Sequence, residues 1–220
     1  MSQVILYGMD ISPPVRACLL TLKALEIPFE YKIVNLMAGE HMTEEFLKHN
    51  PQHTVPVLDD NGTWIWDSHA ICAYLVSKYG KTDDMYPKDL IQRAIVDQRL
   101  HFDSSILFPA LRNISMPFFR QQVTLVPKEK TDSIVEGYGL VETFLNNKTY
   151  LAGNKITIVD FCCVASITSL SGILPIDAKK YPQIMAWLDR IAALPYYEES
   201  NAKGAKEYIG ILRPKLTIAN

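Results

Sequence analysis

Three short stretches hold side chains whose types and spacing could do chemistry. In DISPPVRA, residues 10–17, Ser12 follows a strand-like run and precedes two prolines and an amphipathic helical pattern. A hydroxyl there stands at a helix N-terminus, where unpaired amides and the positive end of the helix dipole favour an anion such as a thiolate. No sulfur occupies residues 12–15, so disulfide exchange by the chain's own cysteines is disfavoured and any reacting thiol must come from a ligand. The same serine suits a plain helix cap followed by proline. In HTVPVL, Pro56 opens a strand, which is an edge or cis-proline signal. Val55 before it would then offer its backbone to an extended peptide, although a simple edge proline accounts for the same residues. In WDSHA, Asp67 and Ser68 follow a strand and open a helix. The acid could hold an ammonium while the serine N–H and hydroxyl hold a carboxylate, together an amino-acid head group; N-capping is the alternative.

Two loop histidines, His41 and His53, lie near these stretches and could meet a second carboxylate or remain on solvated surface. Further along, HFDSSILFPALRNISMPFFR mixes Phe102, Phe108, Leu111, Phe118 and Phe119 with Arg112. An aromatic stripe at helical spacing serves a core or lines an apolar pocket. The two prolines here favour a bent, partly open helix.

The elements that must position these groups follow from periodicity. VILY reads as a buried strand; Val15, Leu19 and Leu22 recur on one helical face; and Phe29, Tyr31 and Ile33 alternate with Glu30 and Lys32 as in a strand. TEEFLKHN starts on Thr, carries acids in its first turn and stops at Asn50-Pro51. VPVLDDNGTWIW is a hairpin around Asp-Asn-Gly, and Ile71, Leu75 and Tyr79 share a helical face before Gly80. The order β-α-β-α-β-β-α is a thioredoxin-like arrangement, with parallel first strands and an antiparallel hairpin. No strand pattern returns after the polar stretch YGKTDDMYPKDL, so the chain divides into residues 1–80, an α/β domain, and 90–220, an all-helical domain. In the second, Pro127 opens a helix with Ile134, Tyr138, Val141 and Leu145 in phase, and Thr157 and Asp160 stand at capping-box spacing.

Composition excludes several classes. With 48% hydrophobic and 21% charged residues, the 220-residue chain can build a packed core, and its net charge of −2 carries no basic excess for nucleic acid or an anionic membrane. The N-terminal run lacks a basic flank, as a signal peptide would need, and FCCVASITSLSGILPI is too short and too interrupted to span a bilayer. Four cysteines form no CxxC pair and have no His at metal-ligand spacing, so no metal is expected and free thiols in a reducing cytosol fit best.

Taken together, SPPVRA, NPQHTVPVL, WDSHAICAYLVSKYG, YPKD, RLHFD, TIVDF and LPYYEE resemble the cytosolic glutathione transferases along essentially the whole chain, most of all the insect delta and epsilon classes, epsilon preferred. The resemblance implies a cytoplasmic homodimer that conjugates glutathione, as co-substrate, to small apolar electrophiles in detoxification. Glutathione-dependent isomerisation, peroxide reduction or dehydrochlorination, or non-enzymatic carriage of apolar ligands, remain open on the same scaffold. It implies a hydrogen bond from Ser12 to the glutathione sulfur. His41 and His53 would lie near the glycine carboxylate, with the Val55 backbone before a cis Pro56 on the cysteinyl residue. Asp67 and Ser68 would hold the γ-glutamyl end with His69 beside them, and Phe108, Leu111, Arg112, Ser115 and Phe119 would lie near the electrophile. Asp67 stands where many members carry Glu, one methylene longer, and His69 follows the epsilon pattern where delta members tend to have Arg.

Overall fold

The computed structural model describes residues 4–219; the outer ends of the two expected domains, residues 1–3 and 220, lie outside the described residues. The first half runs β1 (Val4–Gly8), α1 (Pro13–Ala24), β2 (Glu30–Ile33), α2 (Glu44–His49), β3 (Val57–Asp60), β4 (Thr63–Trp66) and α3 (Ser68–Tyr79). The sheet order is β2-β1-β3-β4. β1 pairs parallel with β2 through Ile5 and Glu30, and antiparallel with β3 through Leu6 and Leu58. The hairpin turns on Asn61 and Gly62, both at positive φ (52° and 86°), as a tight two-residue turn requires. Val15, Leu19 and Leu22 of α1 are buried as their spacing predicts. Ile33 is not: it is 59% exposed at the end of an edge strand, paired with Gly8, which has no side chain to cover it.

The second half consists of α4 (Leu90–Phe102), α5 (Phe108–Gln121), α6 (Lys128–Leu145), α7 (Ile158–Ile173), α8 (Pro182–Ala192) and α9 (Lys203–Leu212). It is not wholly helical. Two-residue strands β5 (Leu125–Val126) and β6 (Thr217–Ile218) pair in parallel, too short to leave an alternation in the sequence. A π-helical turn, Asp103–Leu107, joins α4 to α5. Inside α5, Pro117 lacks the N–H that would bond the carbonyl of Asn113, and Lys130 Nζ donates to that carbonyl at 2.6 Å instead. The apolar run at residues 161–176 belongs largely to α7, whose core residues are buried on every side; among the described residues no helix is long and apolar enough to cross a membrane.

The two halves meet at α1 and α7. Arg16 of α1, fully buried, donates to the Asn201 carbonyl and side chain (3.2 and 3.1 Å), the Ala165 carbonyl (3.1 Å) and the Ser169 hydroxyl. A buried cation without acceptors would be strongly unfavourable, so this docking and the charge stand together. Burial lowers the Arg16 pKa to about 10, which still leaves it charged at neutral pH.

Asp160 closes the predicted capping box at the start of α7. It is fully buried and accepts from Thr157 N–H (2.8 Å), Leu151 N–H (3.0 Å), Trp187 Nε1 (3.0 Å) and the Thr157 hydroxyl (3.2 Å). It therefore ties three segments, and its removal orphans several buried donors. Asp160→Ala is expected to lose at least about 2 kcal/mol of stability, more than a simple cap, while ligand affinity of the folded fraction is retained. Denaturant unfolding beside ligand titration checks this.

Candidate functional site

A cavity of about 530 Å³ lies between the sheet-bearing half and the π-helical turn Asp103–Leu107, α5, α7 and α9. Ser12, His41, His53, Val55, Pro56, Asp67, Ser68, His69, Phe108, Arg112 and Phe119 all line it. Residues far apart in the chain are thus brought together. Leu111 and Ser115 are not among them: both are buried on the adjacent face of α5, where the Ser115 hydroxyl donates to the Leu111 carbonyl at 3.1 Å. On a helix, positions 108, 112, 116 and 119 form one stripe and 111 and 115 the next, so Met116 takes a place in the lining that a period counted from Phe108 would have found. Asp103, Arg120, Cys162, Ser166 and Tyr208 also reach the cavity, and no local sequence signal points to them.

Ser12 occupies the cap position of α1 with extended backbone (φ −79°, ψ 118°), yet its side chain makes no capping bond. Pro13 and Pro14 have no N–H to offer, and the Arg16 N–H already bonds the Ser12 carbonyl at 3.1 Å. Among the described residues this leaves the Val15 amide as the first turn's unpartnered donor, fewer than a helix start ordinarily provides. The Ser12 hydroxyl is therefore the main polar group that this helix end turns to the cavity.

The Val55–Pro56 peptide is cis, as the sequence predicts. β3 begins only at Val57, and the Val55 backbone has no backbone partner among the described residues.

Asp67 serves as a cap and keeps an oxygen in reserve. Its Oδ1 accepts from the backbone N–H of His69 (2.9 Å) and Ala70 (3.2 Å) and lies 3.3 Å from His69 Nδ1; Oδ2 takes no part. Hydrogen bonding to His69 leads the contributions that hold its carboxyl below the ordinary range. His69 reaches across to the second half, with Nε2 at 2.9 Å from Asp103 Oδ2. Burial works against its charged form, but hydrogen bonds to Asp103 and Asp67 outweigh it and raise its pKa to about 10. Asp103 is buried, and its Oδ1 has no partner.

At the other end, the His41 and His53 rings stand 6.4 Å apart, centre to centre. Burial, then His53 and Arg120, pushes the His41 pKa below its ordinary value. Phe119 meets Phe118 edge-on at 5.2 Å and Tyr208 at 6.3 Å, forming the apolar wall. A second hollow of about 560 Å³ beside Asp83, Asp84, Asp89 and Lys155 contains none of the predicted site residues. Among the described residues no cluster of His, Cys, Asp and Glu could hold a metal ion.

A thioredoxin-like sheet docked on a helical bundle, with a peptide-sized cavity between them, matches known proteins closely. Residues 6–83 match the family model for the glutathione S-transferase N-terminal domain, and 100–195 that for the C-terminal domain. Glutathione S-transferase 1 of Manduca sexta is 51% identical over 201 residues, 90% of this chain and 92% of that protein. The structure of an epsilon-class glutathione S-transferase from the housefly, Musca domestica, superposes with a TM-score of 0.96 at 57% identity, covering 98% and 100% of the two chains. A glutathione transferase homologue from Drosophila mojavensis, solved with bound glutathione, superposes at 0.97 with 51% identity over the full length of both. The chain belongs to the glutathione S-transferase family.

The His69 cluster predicts a pH signature. Its folded pKa, about 10, exceeds the ordinary 6.5, so its stabilising contribution is complete below about pH 6.5 and is lost as pH rises toward 10. His69→Gln is expected to remove this alkaline decline. Thermal unfolding midpoints of both proteins from pH 6 to 10, scaled to their values at the alkaline end, measure it.

Proposed function

We propose that this glutathione S-transferase conjugates glutathione to small apolar electrophiles, with Ser12 holding the sulfur as a thiolate. One observation carries the reading: an uncommitted Ser12 hydroxyl shares a cavity with an unpaired Val55 backbone and a half-used Asp67 carboxylate. Ser12 and Val55 suit the cysteinyl residue of a γ-glutamyl tripeptide, and Asp67 its γ-glutamyl end. Asp67 Oδ2 and Asp103 Oδ1 take the γ-glutamyl ammonium, while the Ser68 amide and hydroxyl take its carboxylate. Val55 pairs with the cysteinyl backbone. His41, His53 and Arg120 receive the glycine carboxylate. Phe108, Arg112, Met116 and Phe119 hold the electrophile against the sulfur.

A hydrogen bond from Ser12 to the charged sulfur contributes about 1.5–3 kcal/mol, which lowers the thiol pKa by roughly 1–2 units. From about 8.5, the thiolate fraction at pH 7 then rises from roughly 3% to as much as about 75%. Nucleophilicity falls with pKa at a slope of about 0.4–0.5, so the net gain from ionisation is only about threefold at best. Most of the acceleration must come from holding the electrophile beside the sulfur. In the reaction the thiolate forms a sulfur–carbon bond, the leaving group departs with its electron pair, and the thiol proton passes to water. Glutathione-dependent isomerisation, peroxide reduction and dehydrochlorination would draw on the same thiolate.

The wider reading follows the same lines. Residues 1–80 form the glutathione-binding domain and 90–220 the domain supplying the electrophile pocket. The enzyme acts as a homodimer in cytoplasmic detoxification. The four unpaired, buried cysteines fit a reducing compartment.

Ser12→Ala is expected to keep the fold and glutathione affinity within about threefold, while the pKa of bound glutathione rises by about 1–2 units and conjugation of a generic aryl halide falls accordingly. Thiolate absorbance of the complex against pH reads it directly, and an unchanged thiol pKa would refute the role of Ser12.

A further inference from the structure

We infer that α9 positions Ser12: Gly204 lets this helix press against the loop that carries the hydroxyl. Gly204 is the second residue of α9. A methyl group added there would lie 2.8 Å from the Asp10 carbonyl carbon, closer still to its oxygen, and 3.0 Å from Arg16 Cδ. Real β-carbons do not approach backbone so closely, and neither the carbonyl nor the buried arginine is free to swing aside. The contact falls two residues before Ser12.

The loop is held from its other sides as well. Tyr31 of β2 donates to Asp10 Oδ1 at 2.7 Å, and the Ser12 N–H donates to the Met9 carbonyl at 2.9 Å. Just beyond, Arg16 grips Asn201 in the turn leading into α9, and Asn201 Nδ2 donates to Thr168 of α7 at 3.3 Å. Residues 9–16 are thus clamped between β2 and the last helices of the chain. The direction in which the Ser12 hydroxyl points depends on a residue 192 positions away in sequence. No ligand touches Gly204; it acts on the bound sulfur only through Ser12, and the inference rests on the reading of Ser12 as thiolate stabiliser.

The experiment is a double-mutant cycle of Ser12→Ala and Gly204→Ala, with the thiol pKa of bound glutathione and steady-state kinetics as readouts. Gly204→Ala alone is expected to raise that pKa by about 1 unit and to lower kcat by no more than about threefold, with the glutathione dissociation constant within about twofold. In the Ser12→Ala background the same substitution should leave the pKa unmoved, because the group it misplaces is already gone. A structural role alone would lower the unfolding midpoint without shifting the pKa, and that result overturns the inference while leaving Ser12 intact. An effect of Gly204→Ala that persists in full without Ser12 overturns it equally. A Ser12→Ala protein with normal thiol pKa instead removes the reading beneath it. If Gly204→Ala does not fold, Asn201→Ala takes its place, since it adds no atom and loosens the Arg16 grip; an unshifted thiol pKa there is also a refutation.

Discussion

A guanidinium sealed from water sets the terms on which the two halves of this enzyme meet. Arg16 leaves α1 and finds its acceptors only on α7 and in the turn before α9. Separating the halves would strand that charge or flood it, so the interface tolerates little sliding. The cavity inherits this rigidity, because its floor is the sheet-bearing half and part of its wall comes from α7 and α9, the segments that Arg16 ties to that half. Side chains contributed by both halves can then be placed against one small ligand with little ordering left to do on binding, which is the condition under which proximity accelerates a reaction.

On the proposed reading, the ligand is recognised chiefly through the helix ends and strand edges that the fold leaves incomplete. α1 begins with a hydroxyl that caps nothing, β3 begins two residues after a backbone with no backbone hydrogen-bond partner among the described residues, and α3 is capped by one oxygen of a carboxylate that has two. Each is a polar group that the protein does not satisfy by itself. Such groups cost least where water can reach them and are most useful where a ligand displaces that water. The side chains proposed to meet the second substrate are fewer and more apolar, so on that reading discrimination among electrophiles rests on shape around Phe108, Met116 and Phe119 with Arg112 at the edge.

Most of the sheet-bearing half was legible in the sequence because its signals are local. The Asp-Asn-Gly turn, the proline after Val55 and the acid before Ser68 each report on backbone within a few residues. The same locality marked Ser12, although its neighbours, two prolines, had to be read as missing donors to see why the hydroxyl stays free. Ile33 failed for want of tertiary information: alternation says which residues share a face, and only the topology says whether that face is covered. Leu111 and Ser115 failed differently, by one step around a helix whose apolar residues lie on both the core stripe and the cavity stripe. Asp103, Arg120 and Tyr208 enter the cavity through the docking of one half on the other, a relation that no window of sequence contains.

The divided use of Asp67 has a consequence for how this site can change over time. One oxygen maintains α3 and the other, on the proposed reading, faces the ligand, so the residue answers to folding and to recognition at once. A short acid satisfies both, since its carboxylate sits close enough to its own backbone to reach the first amides of the helix. A longer side chain would extend farther toward the head group but would make a poorer cap. Drift at this position is therefore constrained from two directions, whereas the electrophile wall, built of side chains with no backbone to support, is free to diversify without endangering the fold.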